Sequence, residues 1–353
     1  MNTRSKIFVA GHTGLVGSAI IRKLKTMGYT SILTKPMEEL DLRRQADTDL
    51  FFEKAKPEIV FLAAARVGGI LANNTYKAEF IHDNLAIALN VISAAQRSGV
   101  KKLLNLGSSC IYPKLAQQPI TEEALLSGQL EPTNEPYAIA KIGAIKLCRY
   151  FNEQYGTNFI SVMPTNLYGP NDNFNLETAH VLPALLRKFY LAHLLHADDT
   201  GRILSDVQRS PLGFGIVSSD ATNIASVREI LQRIGVTADA VTLWGTGSAY
   251  REFLHVDDLA DAVVFLMERY DYRDIGELVN IGTGEDDTIA RIAGLVKDVT
   301  RFAGEIRYDT TRPDGTPRKL LDVSKLKKLG WVAKIPLNEG LRRTMDWYTS
   351  RQV

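Results

Sequence analysis

Near its amino terminus the chain runs Lys6-Ile7-Phe8-Val9-Ala10, breaks into Gly11-His12-Thr13-Gly14-Leu15-Val16-Gly17, and continues as an amphipathic stretch to about Met27. No other feature restricts the fold so much. A buried strand, a glycine turn and a helix, in that order, form the phosphate-binding opening of a dinucleotide fold. Gly11 permits the tight turn, Gly14 lets backbone approach a pyrophosphate, and Gly17 lets the helix pack on the strand. The helix start then offers free N–H groups and a positive dipole end to the phosphates. A glycine pattern alone is a weak sign, and its place at the first strand strengthens it.

The alternation continues. Residues 31–35, 58–64, 101–106 and 158–163 read as further short buried strands, and residues 75–98 and 137–155 as helices. This order predicts an α/β chain built on a Rossmann-type doubly wound parallel sheet, whose ligands bind at the carboxyl edge. Ala63, Ala64 and Ala65 close the third strand with small side chains, which lets a cofactor come near. Residues 66–70 form a glycine-bearing loop beside them. At the end of the second strand an acid would favour a free ribose 2′-hydroxyl and a base a 2′-phosphate. Lys35 stands there with no acid, which leans toward NADP(H); a solvated loop lysine is an equal reading. Asp41 and Leu42 follow, where an adenine would lie.

Tyr137-Ala138-Ile139-Ala140-Lys141 places a phenol and an ammonium four residues apart, on one helix face. A neighbouring ammonium favours the phenolate, so the spacing predicts a lowered tyrosine pKa and proton transfer near neutral pH. Ser108, delivered by the fourth strand, would bond the same oxygen. Any lone Tyr-x-x-x-Lys is more often an ordinary helix face; the upstream glycine loop changes the balance.

Beyond residue 175 the rhythm loosens. Helices are predicted over residues 180–195, 220–234, 259–270 and 289–301 and from about 338, with short strands at 241–244 and 278–281. A polar, glycine-bearing stretch covers residues 197–219. The expected division is a dinucleotide-binding domain over residues 1–175, to which 240–262 can return. Residues 176–353 then form a smaller C-terminal α/β substrate-binding domain with an insertion at about 196–240.

With 42 basic and 40 acidic residues, net charge +2, the chain carries no footprint for nucleic acid. Two cysteines, Cys110 and Cys148, make no disulfide framework, and no apolar run reaches membrane-spanning length. A cytoplasmic protein with no membrane partner and no metal site is expected.

Longer stretches carry a resemblance: Ala-Ala-Arg-Val-Gly-Gly-Ile (64–70), Gly-Ser-Ser-Cys-Ile-Tyr-Pro (107–113), Glu-Pro-Thr-Asn-Glu-Pro-Tyr-Ala-Ile-Ala-Lys (131–141), Pro-Thr-Asn-Leu-Tyr-Gly-Pro (164–170), Arg-Glu-Phe-Leu-His-Val-Asp-Asp (251–258) and Pro-Asp-Gly-Thr-Pro-Arg-Lys-Leu-Leu-Asp (313–322). In this order, across nearly the whole chain, they resemble the GDP-L-fucose synthases, extended short-chain dehydrogenases/reductases. The resemblance implies NADPH-dependent 3,5-epimerisation and 4-reduction of GDP-4-keto-6-deoxy-D-mannose. It implies Cys110 and His180 as the epimerisation acid and base, and Ser108, Tyr137 and Lys141 as the reductive set. The cofactor would lie along Gly11, Thr13, Gly14, Leu15, Val16 and Gly17, with its adenosine near Lys35, Asp41 and Leu42. Its nicotinamide end would meet Ala63–Ala65, Lys141, Pro164, Asn166, Leu167 and His180. The GDP-sugar would meet Ser109, Asn166, Lys188, Trp244, Arg251 and Lys319.

Taken singly, Cys110 and His180 are more often packed residues, and Trp244 is as readily core as ligand. Two substitutions depart from the family: Thr13 replaces an arginine that meets the 2′-phosphate, and Lys188 replaces a phosphate-binding arginine, losing its bidentate fork. The insertion reads as a lid or interface, or equally as a surface ornament. The same chemistry on a GDP-heptose, or a non-catalytic nucleotide-binding protein on this fold, is the alternative. A dehydratase lacks support, because Ser109 and Cys110 follow Ser108 where an acid is required. A homodimer through a helix bundle of residues 75–98 and 137–155 is expected by resemblance.

Overall fold

The computed structural model describes residues 1–214, 223–312 and 314–350. Residues 215–222, within the polar stretch and the start of the helix predicted from 220, and Pro313 lie outside them.

The amino-terminal half contains strands β1 (Ile7–Ala10), β2 (Ile32–Leu33), β3 (Ile59–Leu62), β4 (Lys102–Leu106), β5 (Phe159–Pro164) and β6 (Asn166–Tyr168). Its helices are α1 (Leu15–Thr26), α2 (Gln45–Ala55), α3 (Ile70–Thr75), α4 (Lys77–Arg97) and α5 (Glu135–Tyr155). The remainder adds α6 (Val181–His196), α7 (Thr200–Arg209), α8 (Ile224–Arg233), β7 (Ala240–Trp244), β8 (Tyr250–Arg251), β9 (Phe253–His255), α9 (Val256–Arg269), α10 (Tyr272–Ile275), β10 (Val279–Ile281), β11 (Asp287–Thr288), α11 (Ile289–Thr300), β12 (Glu305–Asp309), β13 (Arg318–Lys319), α12 (Ser324–Lys328) and α13 (Leu337–Ser350).

The main sheet has six strands in the order β10-β5-β4-β3-β1-β2, all parallel. Its inner strands are buried without interruption, as continuous Ile/Val/Phe/Leu runs covered on both faces must be. One face packs against α1 and α9, through Ile20, Leu24, Leu259 and Val263. The other packs against α2, α4 and α5, through Phe52, Val91 and Ala144. Strand order reverses at β1, with β2 on one side and β3 on the other, which opens the ligand crevice at the carboxyl ends of β1 and β3. Helix α5 starts with Pro136 in its first turn and stops at Gly156, φ 65°, because proline tolerates only the first turn and glycine accepts the left-handed cap.

A second core gathers α6, α7, α8, α11 and α13 around Leu186, Phe189, Ile203, Val227, Ile292 and Leu341. The polar stretch that follows α6 contains α7, whose Ile203, Asp206 and Val207 are buried. Asp206 binds the fully buried Arg187 of α6 at 2.8 Å and accepts the Tyr348 hydroxyl of α13 at 2.5 Å. Helices α7 and α8 thus form part of the wall of this core. The sequence reading did not place α2, whose apolar and polar faces contrast weakly.

Candidate active site

The glycine loop has the geometry of a phosphate cradle. Gly11 takes φ 80°, and a Cβ there would stand 2.7 Å from Ala64 backbone atoms. A Cβ on Gly17 would stand 2.2 Å from the Gly11 carbonyl oxygen, so only glycine lets α1 lie this close to its turn. Gly14 faces open space apart from Gly11 O at 3.6 Å, and the start of α1 has neither a side-chain cap nor an acid in its first turn. These N–H groups remain available to an anion, so the loop fits a dinucleotide pyrophosphate. Thr13 is exposed, and Leu15 and Val16 begin α1 half-buried. Ala63, Ala64 and Ala65 lie across the crevice, half-buried after β3.

On the adenosine side, Lys35 is exposed and ion-paired with Glu39. Asp41 holds Arg43 through paired hydrogen bonds of 2.9 and 2.8 Å, and this guanidinium keeps its carboxyl below the usual range. Arg43 reaches Asp83 of α4 at 3.3 Å, and Asp83 also binds Arg66 at 3.1 Å. Asn84 closes the same knot, accepting Arg66 N–H and donating to Arg66 O, both at 3.0 Å. Leu42 is buried.

At the centre, two residues after β4, Ser108 caps a short 3₁₀ turn over Ser109–Ile111, and its Oγ accepts Cys110 N–H at 3.4 Å. Cys110 and Ser109 are buried. Burial pushes the Cys110 thiol up, while Lys319, the Ser108 hydroxyl and Lys141 pull it down. Lys141, on α5, donates to Leu106 O at 2.8 Å, and its Nζ lies 5.7 Å from the Tyr137 ring centre. Desolvation lowers the Lys141 pKa to about 8.

Tyr137 differs from the sequence expectation. Its pKa is raised, by burial first and by the Cys110 charge second. The Lys141 ammonium is turned to the Leu106 carbonyl, so it does not offset that burial.

His180 caps α6 with no side-chain hydrogen bond to the helix. It keeps solvent-exposed surface inside a dense protein surround, as a residue on a cleft wall does, and desolvation and Lys319 both lower its pKa. Lys319 itself is shifted down by burial and by Arg251, against pulls from Cys110 and Glu131. The structure therefore brings Ser108, Cys110, Tyr137, Lys141, His180, Lys319 and Arg251 into electrostatic reach of one another. Arg251 and Lys319 sit opposite each other on the paired strands β8 and β13.

The other predicted contacts are engaged locally. Asn166 donates to the Glu252 carbonyl at 2.9 Å. Pro164 ends β5 opposite Ile281, and Leu167 is half-buried on β6 opposite Leu254. Lys188 donates to Ile234 O at 2.9 Å, and desolvation lowers its pKa to about 8. Trp244 is 65 % exposed, with the Arg312 guanidinium 5.2 Å from its ring centre. That excludes the core reading of Trp244.

Sequence reading missed Glu252, Asp83 and Asn84. Glu252 left a signal: an acid directly before the apolar pair Phe253-Leu254 on a buried strand. Asp83 and Asn84 left none, because polar residues on a long helix are usually solvated.

Among the described residues no group of His, Cys, Asp or Glu could hold a metal ion, and no helix is long and apolar enough to cross a membrane.

The model of the NAD dependent epimerase/dehydratase family matches residues 7–206 and 217–282. The chain is 54 % identical to GDP-L-fucose synthase 1 of Arabidopsis thaliana over 344 residues, covering 98 % of this chain and 93 % of that one. It is 44 % identical to GDP-L-fucose synthase of Escherichia coli strain K12 over 356 residues, covering 99 % and 98 %. A GDP-D-glycero-L-gluco-heptose synthase from Campylobacter jejuni, solved in the presence of NADPH, superposes with a TM-score of 0.89 at 39 % identity, covering 99 % of both chains.

Proposed function

The chain belongs to the NAD dependent epimerase/dehydratase family and, within it, to the GDP-L-fucose synthases, and from that premise we propose how its residues act. It is an NADP(H)-dependent epimerase and reductase that converts GDP-4-keto-6-deoxy-D-mannose to GDP-L-fucose. The observation that carries the assignment of roles is that Cys110 acts on Tyr137, Lys141 and Lys319, and Lys319 in turn on His180, so that the five groups lie close together.

A 4-keto group acidifies the protons on C3 and C5 of the sugar. Cys110 and His180 exchange them as base and acid, from two separate elements, the 3₁₀ turn after β4 and the start of α6. Ser108 and Tyr137 hold the C4 oxygen and stabilise the charge that develops there. The cofactor, when bound, supplies hydride to C4. Tyr137 then gives that oxygen its proton, and Lys141 meets the nicotinamide ribose. Arg251 and Lys319 hold the diphosphate, Lys188 adds charge beside it, and Trp244 covers the nucleotide or sugar.

The test is proton exchange in D₂O with GDP-4-keto-6-deoxy-D-mannose and no reductant. Deuterium entering at C3 and C5 with wild type, and not with Cys110→Ser, supports these roles. Equal exchange by the two proteins contradicts them. The resemblance to the heptose synthase makes a GDP-4-keto-heptose the second substrate to try.

We also propose a cytoplasmic homodimer. Leu85 and Leu89 of α4 and Ile139 and Tyr150 of α5 are exposed on adjacent packed helices. An apolar stripe of this kind suits a second copy in a four-helix bundle. The two free, buried cysteines suit a reducing compartment.

A further inference from the structure

Glu252 follows Arg251 and is fully buried, at 0 % exposure. An isolated buried carboxylate is costly, so its partners reveal what it does. Oε1 accepts Thr283 N–H at 2.6 Å and Gly284 N–H at 2.8 Å, with the Thr283 hydroxyl 3.3 Å away. Oε2 accepts Leu321 N–H at 3.1 Å. The turn after β10 is shaped around this group: a Cβ on Gly282 would stand 2.2 Å from Oε1, and Gly284 takes φ 76° to point its N–H inward. On its main chain, the Glu252 carbonyl receives Asn166 Nδ2 at 2.9 Å. Leu321 lies two residues beyond Lys319, whose strand is paired with that of Arg251.

We propose that Glu252 is the positioning residue of the nucleotide-diphosphate site. It is a buried carboxylate that sets the places of Arg251, Lys319 and Asn166 without touching the substrate. This rests on the reading of Arg251 and Lys319 as diphosphate ligands. The geometry goes beyond ordinary packing: the carboxylate holds the backbone at Leu321, two residues beyond Lys319, Glu252 follows Arg251 directly, and its own carbonyl receives Asn166. Glutamine in its place would present an amide N–H₂ to backbone donors and force the 283–284 or 320–321 backbone to move.

The test is titration of the full-length protein with GDP and, separately, with NADPH, alongside steady-state kinetics. Glu252→Gln is expected to weaken GDP at least tenfold and raise KM for the GDP-sugar to match, with kcat changed less than threefold and NADPH affinity within twofold. Glu252→Asp, which keeps the charge, recovers part of the loss. A purely structural role would lower the melting temperature and leave the GDP affinity of the folded protein unchanged, which overturns the proposal. Should Glu252→Gln fail to fold, Gly282→Ala puts a methyl where Oε1 lies and is expected to weaken GDP in the same way; a folded Gly282→Ala protein with wild-type GDP affinity likewise overturns it. Arg251→Ala and Lys319→Ala separate the two claims. If both weaken GDP and Glu252→Gln does not, the positioning role falls and the diphosphate reading stands. If neither does, the diphosphate reading falls and the positioning role with it.

Discussion

Gly69 is docked on Thr178: its N–H donates to the Thr178 carbonyl at 2.9 Å, and a Cβ on it would stand 2.8 Å from the Ala179 oxygen. The contact ties the loop after β3 to the loop that ends in His180. The Asp83, Asn84 and Arg66 knot fixes the first loop from behind. Gly69→Ala should push the 178–179 backbone away and misplace His180. Exchange at C3 and C5 should fall by about 10²-fold, the cost of roughly 1 Å of misplacement. NADPH affinity should hold, because the glycine loop is untouched. Deuterium exchange and a fluorescence titration of NADPH check the two halves, and exchange at the wild-type rate would contradict the link.

Lys319 pulls the pKa values of both exchange groups down. It lowers the Cys110 thiol against the larger upward push of burial, and it adds to desolvation in lowering His180. Replacing Lys319 by Met should therefore raise both values. The pH profile of deuterium exchange should move to higher pH on both limbs. A profile that keeps its position while its height drops would show that Lys319 acts on binding alone.

The carboxyl of Asp172 has an oxygen, Oδ2, that is buried without a hydrogen-bond partner, and burial raises its pKa to about 7. An aspartate in the unfolded chain ionises near pH 3.9. The folded value lies above the unfolded one, so the contribution to stability is full below about pH 4 and is lost as pH rises to about 7. Asp172→Asn should thus stabilise the protein by about 2–4 kcal/mol at pH 8 and change it little at pH 4. Melting temperatures across that range decide it, and a pH-independent difference between the two proteins would argue against it.

Much of this was legible in the sequence because it rests on local rules. The glycine loop showed its fold through Gly11 and Gly17, where no other residue fits. The six strands of the main sheet announced themselves as continuous apolar runs, with ends misjudged by a residue or two, whereas β6, β8, β9 and β11–β13, short or exposed, did not. Tyr137 and Lys141 showed that they share a helix face. What the sequence hid depends on distant partners. It could not show that Lys141 turns to the Leu106 carbonyl, which leaves the Tyr137 phenol raised by burial. It could not show that Arg187 and Asp206 bury each other, which gives α7 a polar residue on its inner side. Nor could it show that the turn at 282–284 folds around Glu252.

The apolar stripe on α4 and α5 predicts the assembly. Leu89 is 55 % exposed and Ile139 42 %, so two arginines there should cost a lone subunit little. The double variant Leu89→Arg/Ile139→Arg should run as a monomer in light scattering while wild type runs as a dimer. Equal masses for the two proteins would remove this surface as the interface.

The measurement that bears most directly on the proposed chemistry is NADPH consumption with GDP-4-keto-6-deoxy-D-mannose, with the product identified by NMR, for wild type and Cys110→Ser. Wild type should yield GDP-L-fucose, and Cys110→Ser should be blocked before epimerisation. NADPH oxidation by wild type that gives only the unepimerised GDP-6-deoxy sugar would contradict the proposal and reduce the site to a 4-ketoreductase.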